Sequence, residues 1–377
     1  MMHFPFITSY SQSHPKDFGV VRIKNIPYAT SRSEILAIFG RKARLPRDTE
    51  EPVHIIMDKS TCKTQDAFVE FATVNDAIKA VRRFQDSVKQ HHRPRLENRL
   101  LDMELSSQAE LLKALFPFAC GVTWNGAAPY IGPEVPGEPW TVFKGYVTEE
   151  EMTLLVRFVE VPSRSPFAKD CPQRPYECMI STLKKIPWFR PDTITVMERH
   201  IIFTATIRLC GLLRGALDAP RYDSQGNHIN DTLLRRFFNA AMLCPGFSVV
   251  QKDNIAFACR FDEKKHHHFN IPRHANSWVY QHIVCPKPSV PVDVLEYYIA
   301  LIREETVLSA RENNIRELYE RIAQQPHDTD DTGYFGFAWL DLNLPHQKEL
   351  IHWSIASLGD HEMAVLQRIV HRALTRR

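Results

Sequence analysis

The sequence predicts an α+β protein in which a βαββαβ unit is followed by a mainly α-helical domain. Three observations support this fold class. Short apolar strand patterns alternate with helical patterns between residues 19 and 105, in the order of a split βαβ arrangement. From residue 145 onward, apolar side chains recur at helical spacing. Residues 119–144, which separate the two regions, are rich in Gly and Pro and therefore favour turns.

Four strands and two helices make up the predicted βαββαβ unit. The strands cover residues 20–27, 53–57, 67–71 and 100–105, where apolar and polar side chains alternate or form short apolar runs. Apolar residues at helical spacing indicate the helices: Ile35, Leu36, Ile38 and Phe39 in the first, and Ala77, Ile78, Ala80, Val81 and Phe84 in the second. An additional helix follows, with Ser107 or Ser106 as its cap, and Ser107 and Glu110 have the spacing of a capping box.

Two of the predicted strands carry recognisable motifs. Residues 21–26 (Val-Arg-Ile-Lys-Asn-Ile) resemble the first-strand hexamer of the RNA recognition motif (RRM), and residues 64–71 resemble its third-strand octamer. The resemblance implies a ferredoxin-like domain at residues 18–118, including the additional helix, and single-stranded RNA as its ligand. With its helical region, the chain looks like fungal single-RRM proteins that have a long helical C-terminal extension.

Strand alternation predicts which side chains lie on the open face of the sheet. If Val21, Ile23, Ala67, Val69 and Phe71 pack on the helices, then Arg22, Lys24, Asp66, Phe68 and Glu70 face outward. In the family that the motifs resemble, aromatic residues on this face stack bases, so Phe68 is the expected stacking platform. Arg22 can stack on a base and bind phosphate, or it can pair with Asp66 or Glu70.

Basic loops flank the predicted sheet and add candidate phosphate contacts. The predicted RNA-binding residues are Arg22, Lys24, Asn25, Lys59, Lys63, Phe68, Arg95 and Arg99. A basic run at residues 41–47 is either a further set of phosphate contacts or solvated loop charge. Because Asp66 and Glu70 would repel phosphate, an alternative is that this face docks a protein partner.

The predicted domain organisation has four parts. A flexible arm covers residues 1–17, the RRM residues 18–118, a linker residues 119–144 and a helical domain residues 145–377. Within the helical domain, the Pro-bounded basic segment at residues 164–178 is either a fixed interhelical connection or a recognition loop. A long helix is expected at residues 292–324, and an acidic break at residues 326–333.

No motif for enzymatic chemistry is found. The sequence has no G-x-x-x-x-G-K-[ST] loop, no G-x-G-x-x-G after a strand, no H-E-x-x-H and no G-x-S-x-G. Cys171 and Cys178 with His266, His267 and His268 match no standard zinc spacing, so we expect no metal and no cofactor. No signal peptide or membrane span is expected, which favours a nuclear or cytoplasmic location.

These patterns together predict a non-enzymatic protein that binds single-stranded RNA in RNA regulation or processing. The sheet face and the basic loops are the expected contact surfaces. The alternative is a protein-interaction module in which the sheet face or the helical domain docks a partner.

Overall fold

The computed structural model describes residues 4–134, 136–219, 228–261, 268–312 and 333–376. The chain forms two compact units. We call His14–Phe189 with His200–Cys244 the sheet unit, and Met1–Ser13 with Arg190–Arg199 and Pro245–Arg377 the C-terminal unit. This division differs from the predicted one, because the first part of the predicted helical domain belongs to the same compact unit as the sheet.

The described residues contain ten strands and thirteen helices of the α type. The strands are β1 Phe6–Thr8, β2 Gly19–Lys24, β3 Val53–Met57, β4 Thr64–Phe71, β5 Arg95–Leu96, β6 Arg99–Leu100, β7 Asp102–Ser106, β8 Val122–Asn125, β9 Ala128–Ile131 and β10 Val284–Pro286. The helices are α1 Arg32–Phe39, α2 Val74–Lys89, α3 Gln108–Leu115, α4 Glu149–Glu160, α5 Pro166–Asp170, α6 Arg174–Lys185, α7 Val196–Asp218, α8 Asp231–Met242, α9 Val249–Ala258, α10 Val292–Glu312, α11 Ala338–Leu342, α12 Gln347–Leu350 and α13 Ile355–Thr375.

The sheet unit is built on a four-stranded antiparallel sheet with the strand order β3-β4-β2-β7. Helices α1 and α2 pack on one face of this sheet. The apolar residues that alternate along β2 and β4 form the core beneath these helices, as predicted: Val21, Ile23, Ala67, Val69 and Phe71. The predicted inward face of the sheet is therefore confirmed.

Two segments after the sheet differ from their predictions in detail. Helix α3 begins after Ser107, whose side chain accepts a hydrogen bond from the Glu110 backbone N–H. The Glu110 carboxylate accepts from Ser106 instead of returning to Ser107, so only half of the predicted capping box forms. The predicted linker contains the hairpin β8–β9, in which the ring of Trp124 stacks on Phe116. Aromatic burial of this kind fixes a segment that its Gly and Pro content alone would leave loose.

The C-terminal unit pairs β1 with β10 and encloses one buried carboxylate. Glu362 on α13 accepts backbone hydrogen bonds from His282, Ile283 and Val284, at 2.7, 2.9 and 2.9 Å. Burial raises the pKa of Glu362 to about 6, in spite of these three donors. The carboxylate thereby connects α13 to the start of β10.

Several remaining predictions concern the second half of the chain. Helix α10 begins at the predicted residue and is described to Glu312, and residues 313–332 lie outside the described residues. His266 and His267 also lie outside them. Among the residues that the structure describes, no group of three or more metal-ligating side chains occurs. Helix α7 meets the length and hydropathy of a bilayer-spanning helix, a test that the core helix of a water-soluble protein also passes.

Candidate nucleic-acid interface

The face of the sheet opposite α1 and α2 is covered by helix α6. His54 on β3 lies with its Nδ1 3.0 Å from the Ser181 hydroxyl of α6. At the start of the same helix, Arg174 donates from Nε to the Thr64 hydroxyl of β4 at 3.0 Å. Because His54 alternates with the inward residues of β3, α6 occupies the side of the sheet that the sequence predicted to be open.

A buried polar network joins this covering helix to the sheet. Glu70 on β4 accepts hydrogen bonds from Gln108 of α3 and Lys185 of α6, and its other oxygen lies 3.2 Å from His54 Nε2. Burial alone would raise the pKa of Glu70, but Lys185 and His54 outweigh it and hold this pKa at about 2. Glu70 is therefore a structural anion, and the prediction that it lies on an open face and repels phosphate is wrong.

Ser181, His54 and Glu70 have the residue types of a nucleophile–base–acid triad. The serine hydroxyl contacts one imidazole nitrogen and the carboxylate contacts the other. All three side chains are buried, so a substrate cannot reach the hydroxyl. Desolvation lowers the pKa of His54, which keeps the imidazole neutral and suits a packing role.

The strand residues predicted to bind RNA are mostly engaged within the sheet unit. Phe68 is only 2% exposed, so the prediction that it is a free stacking platform is wrong. Arg22 lies over its ring at 5.6 Å and donates from Nε and Nη2 to Asp66, at 2.9 and 2.6 Å. Lys24 pairs with Glu104 at 2.7 Å. These ion pairs match the second alternative for Arg22, in which its charge is neutralised on the sheet.

Among the predicted loop residues, Lys59 and Asn25 also have structural roles. Lys59 is buried and pairs with Glu151 of α4 at 2.8 Å, which contradicts its predicted phosphate contact. Asn25 is exposed, and its left-handed backbone (φ 61°) lets its side-chain amide donate to the Leu100 carbonyl at 2.9 Å. Asn25 therefore holds the β5–β6 hairpin against the end of β2. Arg95 is exposed on that hairpin.

The structure brings the two remaining predicted residues, Lys63 and Arg99, together around one aromatic ring. The Arg99 guanidinium carbon lies 4.9 Å from the centre of the Tyr28 ring, and Lys63 Nζ lies 5.4 Å from it. Lys63 Nζ also lies 5.8 Å from the ring of Phe167 on α5. The two rings meet edge to face, with centroids 5.1 Å apart. We call Tyr28, Lys63, Arg99 and Phe167 the loop cluster.

The loop cluster is electropositive and open at the surface. Neither Lys63 nor Arg99 has a carboxylate partner among the residues that the structure describes. Hydrogen bonding from Arg99, followed by that from Lys63, lowers the pKa of the Tyr28 hydroxyl. Lys63 is exposed, and the other three side chains are partly exposed. The cluster therefore presents two unneutralised cations beside two aromatic rings.

Residues before and within α6 hold the loop that carries Tyr28. The buried Arg174 donates from Nη2 to the backbone carbonyls of Tyr28 and Thr30, at 3.3 and 2.6 Å. The Cys171 thiol lies 3.1 Å from the Tyr28 carbonyl. Before α5, the Ser165 hydroxyl donates to the Thr61 carbonyl at 2.5 Å and fixes the loop that leads to Lys63. The Pro-bounded segment at residues 164–178 is thus a fixed connection that also shapes the cluster.

Sequence reasoning did not identify Tyr28 or Phe167 as site residues. Tyr28 lies just beyond the first-strand hexamer, in a turn, whereas strand alternation indicates stacking positions only within the strands. Phe167 lies within the segment that was singled out as a possible recognition loop. The sequence signal for Tyr28 is an aromatic residue directly after a strand end, close to loops that contain Lys and Arg.

Comparisons with known proteins match two parts of the chain. A family model described as "Domain of unknown function (DUF8400)" matches residues 17–126, and one described as "Domain of unknown function (DUF8399)" matches residues 143–261. No curated protein matches the chain. Among solved structures, the chain is similar to the crystal structure of the Glorund qRRM2 domain. The match has 27% sequence identity and a TM-score of 0.22, and it covers 26% of this chain and 99% of the other.

Proposed function

We propose that this chain binds single-stranded RNA at the loop cluster, and that its βαββαβ unit is an RRM whose sheet face is covered by α6. The observation that carries the proposal is the meeting at the surface of two aromatic rings with two cations that have no carboxylate partner among the described residues. On this basis the protein acts in RNA regulation or processing, in the nucleus or cytoplasm.

The chemistry of the loop cluster suits one phosphate and one unstacked base. Lys63 and Arg99 attract a phosphodiester, because no carboxylate in the described part of the chain neutralises either charge. Aromatic rings and guanidinium planes stack nucleobases whatever the base, since every base has a π-face. A base reaches such a ring only from a strand that is not paired, which favours single-stranded RNA over a duplex.

Tyr28→Ala is expected to weaken RNA binding without unfolding the chain. Base–aromatic stacking contributes about 1–3 kcal/mol, so the dissociation constant should rise by roughly 5- to 150-fold. The measurement is fluorescence anisotropy of the full chain with a labelled pool of short random RNAs. Tyr130→Ala is the matched control, because Tyr130 is an exposed tyrosine on the β8–β9 hairpin.

Two further variants identify which surface binds the RNA. Lys63→Ala should reduce affinity and make the salt dependence shallower by about 0.7 in the slope of log affinity against log salt. Arg22→Ala should leave RNA affinity unchanged, because Asp66 already neutralises Arg22. If Arg22→Ala weakens binding while Tyr28→Ala and Lys63→Ala do not, the sheet face binds the RNA and the proposal is incorrect.

One observation bears on the alternative in which the sheet face docks a protein partner. The face does dock a helix, but that helix is α6 of the same chain, held by the buried ion pair between Lys185 and Glu70. A second protein would have to displace α6 to use it. Docking of a partner by the helical region stays a prediction.

A further inference from the structure

A second group of cations lies at the opposite end of the sheet, in the segment between α1 and β3. Residues 40–47 begin with Gly40, whose φ of 65° ends α1. The backbone carbonyl of Arg44 accepts from the Ala72 N–H at 2.9 Å, directly after β4. Ala43 and Leu45 pack against the core of the sheet unit. Because these contacts hold the backbone, the basic side chains between them project from a fixed segment.

The four cations of this segment are exposed, and no described carboxylate neutralises them. They are Arg41, Lys42, Arg44 and Arg47. Within the described part of the chain, none of them forms an ion pair or a side-chain hydrogen bond. We call these four residues the basic segment.

Nearby carboxylates do not neutralise the basic segment, because each is bound by a different cation. Asp48 pairs with Arg32, and Glu50 pairs with Lys16. Glu51 is buried and receives the Arg236 guanidinium from α8, with the shortest contact at 2.8 Å. Three acids within four residues of Arg47 are thus occupied, and the positive potential of the segment is left uncompensated.

We propose that the basic segment is a second anion site that binds the phosphate backbone of RNA without reading its sequence. The segment contains no aromatic residue, so it offers charge and no stacking surface. The identity of the ligand rests on the proposed function, whereas the site itself rests on the four unneutralised charges. The protein then contacts RNA at both ends of one sheet.

The two sites are far enough apart to act independently. Lys63 precedes β4 and Ala72 follows it, so a strand rise of about 3.3 Å per residue separates the two ends by roughly 30 Å. The Debye length at physiological salt is about 8 Å, so neither site feels the charge of the other through solvent. Even if an unstacked strand extends to about twice the helical rise of about 3.4 Å per nucleotide, an RNA of about 4 nucleotides cannot span both sites, whereas one of about 20 nucleotides can.

The test compares two RNA lengths in the full chain and in a quadruple variant, R41Q/K42Q/R44Q/R47Q. Glutamine retains part of each side-chain stem and a polar end group, and it removes the positive charge. For the RNA of about 20 nucleotides, we expect at least about tenfold weaker binding. The slope of log affinity against log salt should become shallower by about 2–3. Binding of the RNA of about 4 nucleotides at the loop cluster should not change.

Two controls separate the site from net charge and from folding. R273Q/K287Q/R311Q/R368Q removes four exposed cations from the C-terminal unit, and it should leave the long RNA bound as in the parent chain. R41K/R44K/R47K keeps the charges and should bind RNA normally. Equal thermal unfolding temperatures of all variants would show that the substitutions do not destabilise the fold.

The possible outcomes distinguish this inference from the proposed function. If the quadruple variant binds the long RNA normally, the second site does not exist, whatever the loop cluster does. If Tyr28→Ala has no effect on either RNA but the quadruple variant loses the long one, the basic segment stands and the loop-cluster proposal fails. If phosphatidylserine vesicles bind through these four residues while RNA does not, the ligand is a membrane surface and the RNA assignment is overturned.

Discussion

Arg174→Ala is expected to lower the free energy of unfolding by about 3–5 kcal/mol and to weaken RNA binding at the loop cluster. The Arg174 side chain is 0% exposed and donates to Thr64, Glu177, Tyr28 and Thr30. Its removal leaves buried acceptors without a donor, and each such group carries a desolvation cost. It also frees the turn that carries Tyr28, so the ring is no longer held between Lys63 and Arg99.

Urea denaturation of the full chain, followed by tryptophan fluorescence, measures the stability change. Arg164→Ala is the matched control, because Arg164 is an exposed arginine in the same Pro-bounded segment. Arg174→Lys retains the charge but not the planar fork, so it should recover only part of the stability. A loss below about 1 kcal/mol in Arg174→Ala would contradict the role assigned to the guanidinium.

Glu70→Ala is expected to be comparably destabilising, at about 3–5 kcal/mol. The change leaves the Lys185 ammonium buried without a counter-charge and removes the acceptor for Gln108. Because these contacts attach α6 and α3 to the sheet, we also expect faster proteolysis within α6 in this variant. Glu104→Ala is the control, since it removes an exposed carboxylate from β7 and should cost at most about 1 kcal/mol.

The stability of the chain should also depend on pH through Glu70. The pKa of this carboxyl is about 2 in the folded chain, whereas its ordinary value is 4.5. A carboxyl with a depressed pKa contributes stability that is present above pH 4.5 and is lost as the pH falls toward 2. Acid titration of the folded fraction should therefore show a loss in this window that Glu70→Gln abolishes. An unchanged acid transition in Glu70→Gln would exclude Glu70 as its source.

The order and inward face of the sheet could be predicted because both depend on local periodicity. Strands β2 and β4 alternate apolar and other side chains with the period of a pleated sheet, and the residues predicted to face α1 and α2 do so. The environment of the other face is not a local property. It depends on α6, whose Lys185 lies more than 100 residues beyond Glu70 in the sequence. No residue pattern within the strands indicates that α6 covers this face.

The errors at the site have the same physical origin. Phe68 shares its strand face with Asp66 and Glu70, and this pattern fits a solvent-facing stacking platform as well as a residue covered by a distant helix. Lys59 lies in a polar stretch of sequence that is typical of a solvated loop, but it forms a buried ion pair with Glu151. Lys63 and Arg99 are predicted from the sequence as phosphate contacts, and that role stays a prediction. Their meeting at Tyr28 depends on how the hairpin folds back onto the end of β2.

The pairing of β1 with β10 sets an order of events during synthesis of the chain. About 280 residues separate Phe6 from its partner Pro286. At about 5–20 residues per second, the ribosome needs on the order of 15–60 s to deliver the partner strand. For that time β1 has no strand to pair with, and the C-terminal unit cannot close. Because β1 has only three residues, the strand edge that it exposes to other nascent chains is short. This short edge limits aggregation before β10 is synthesised.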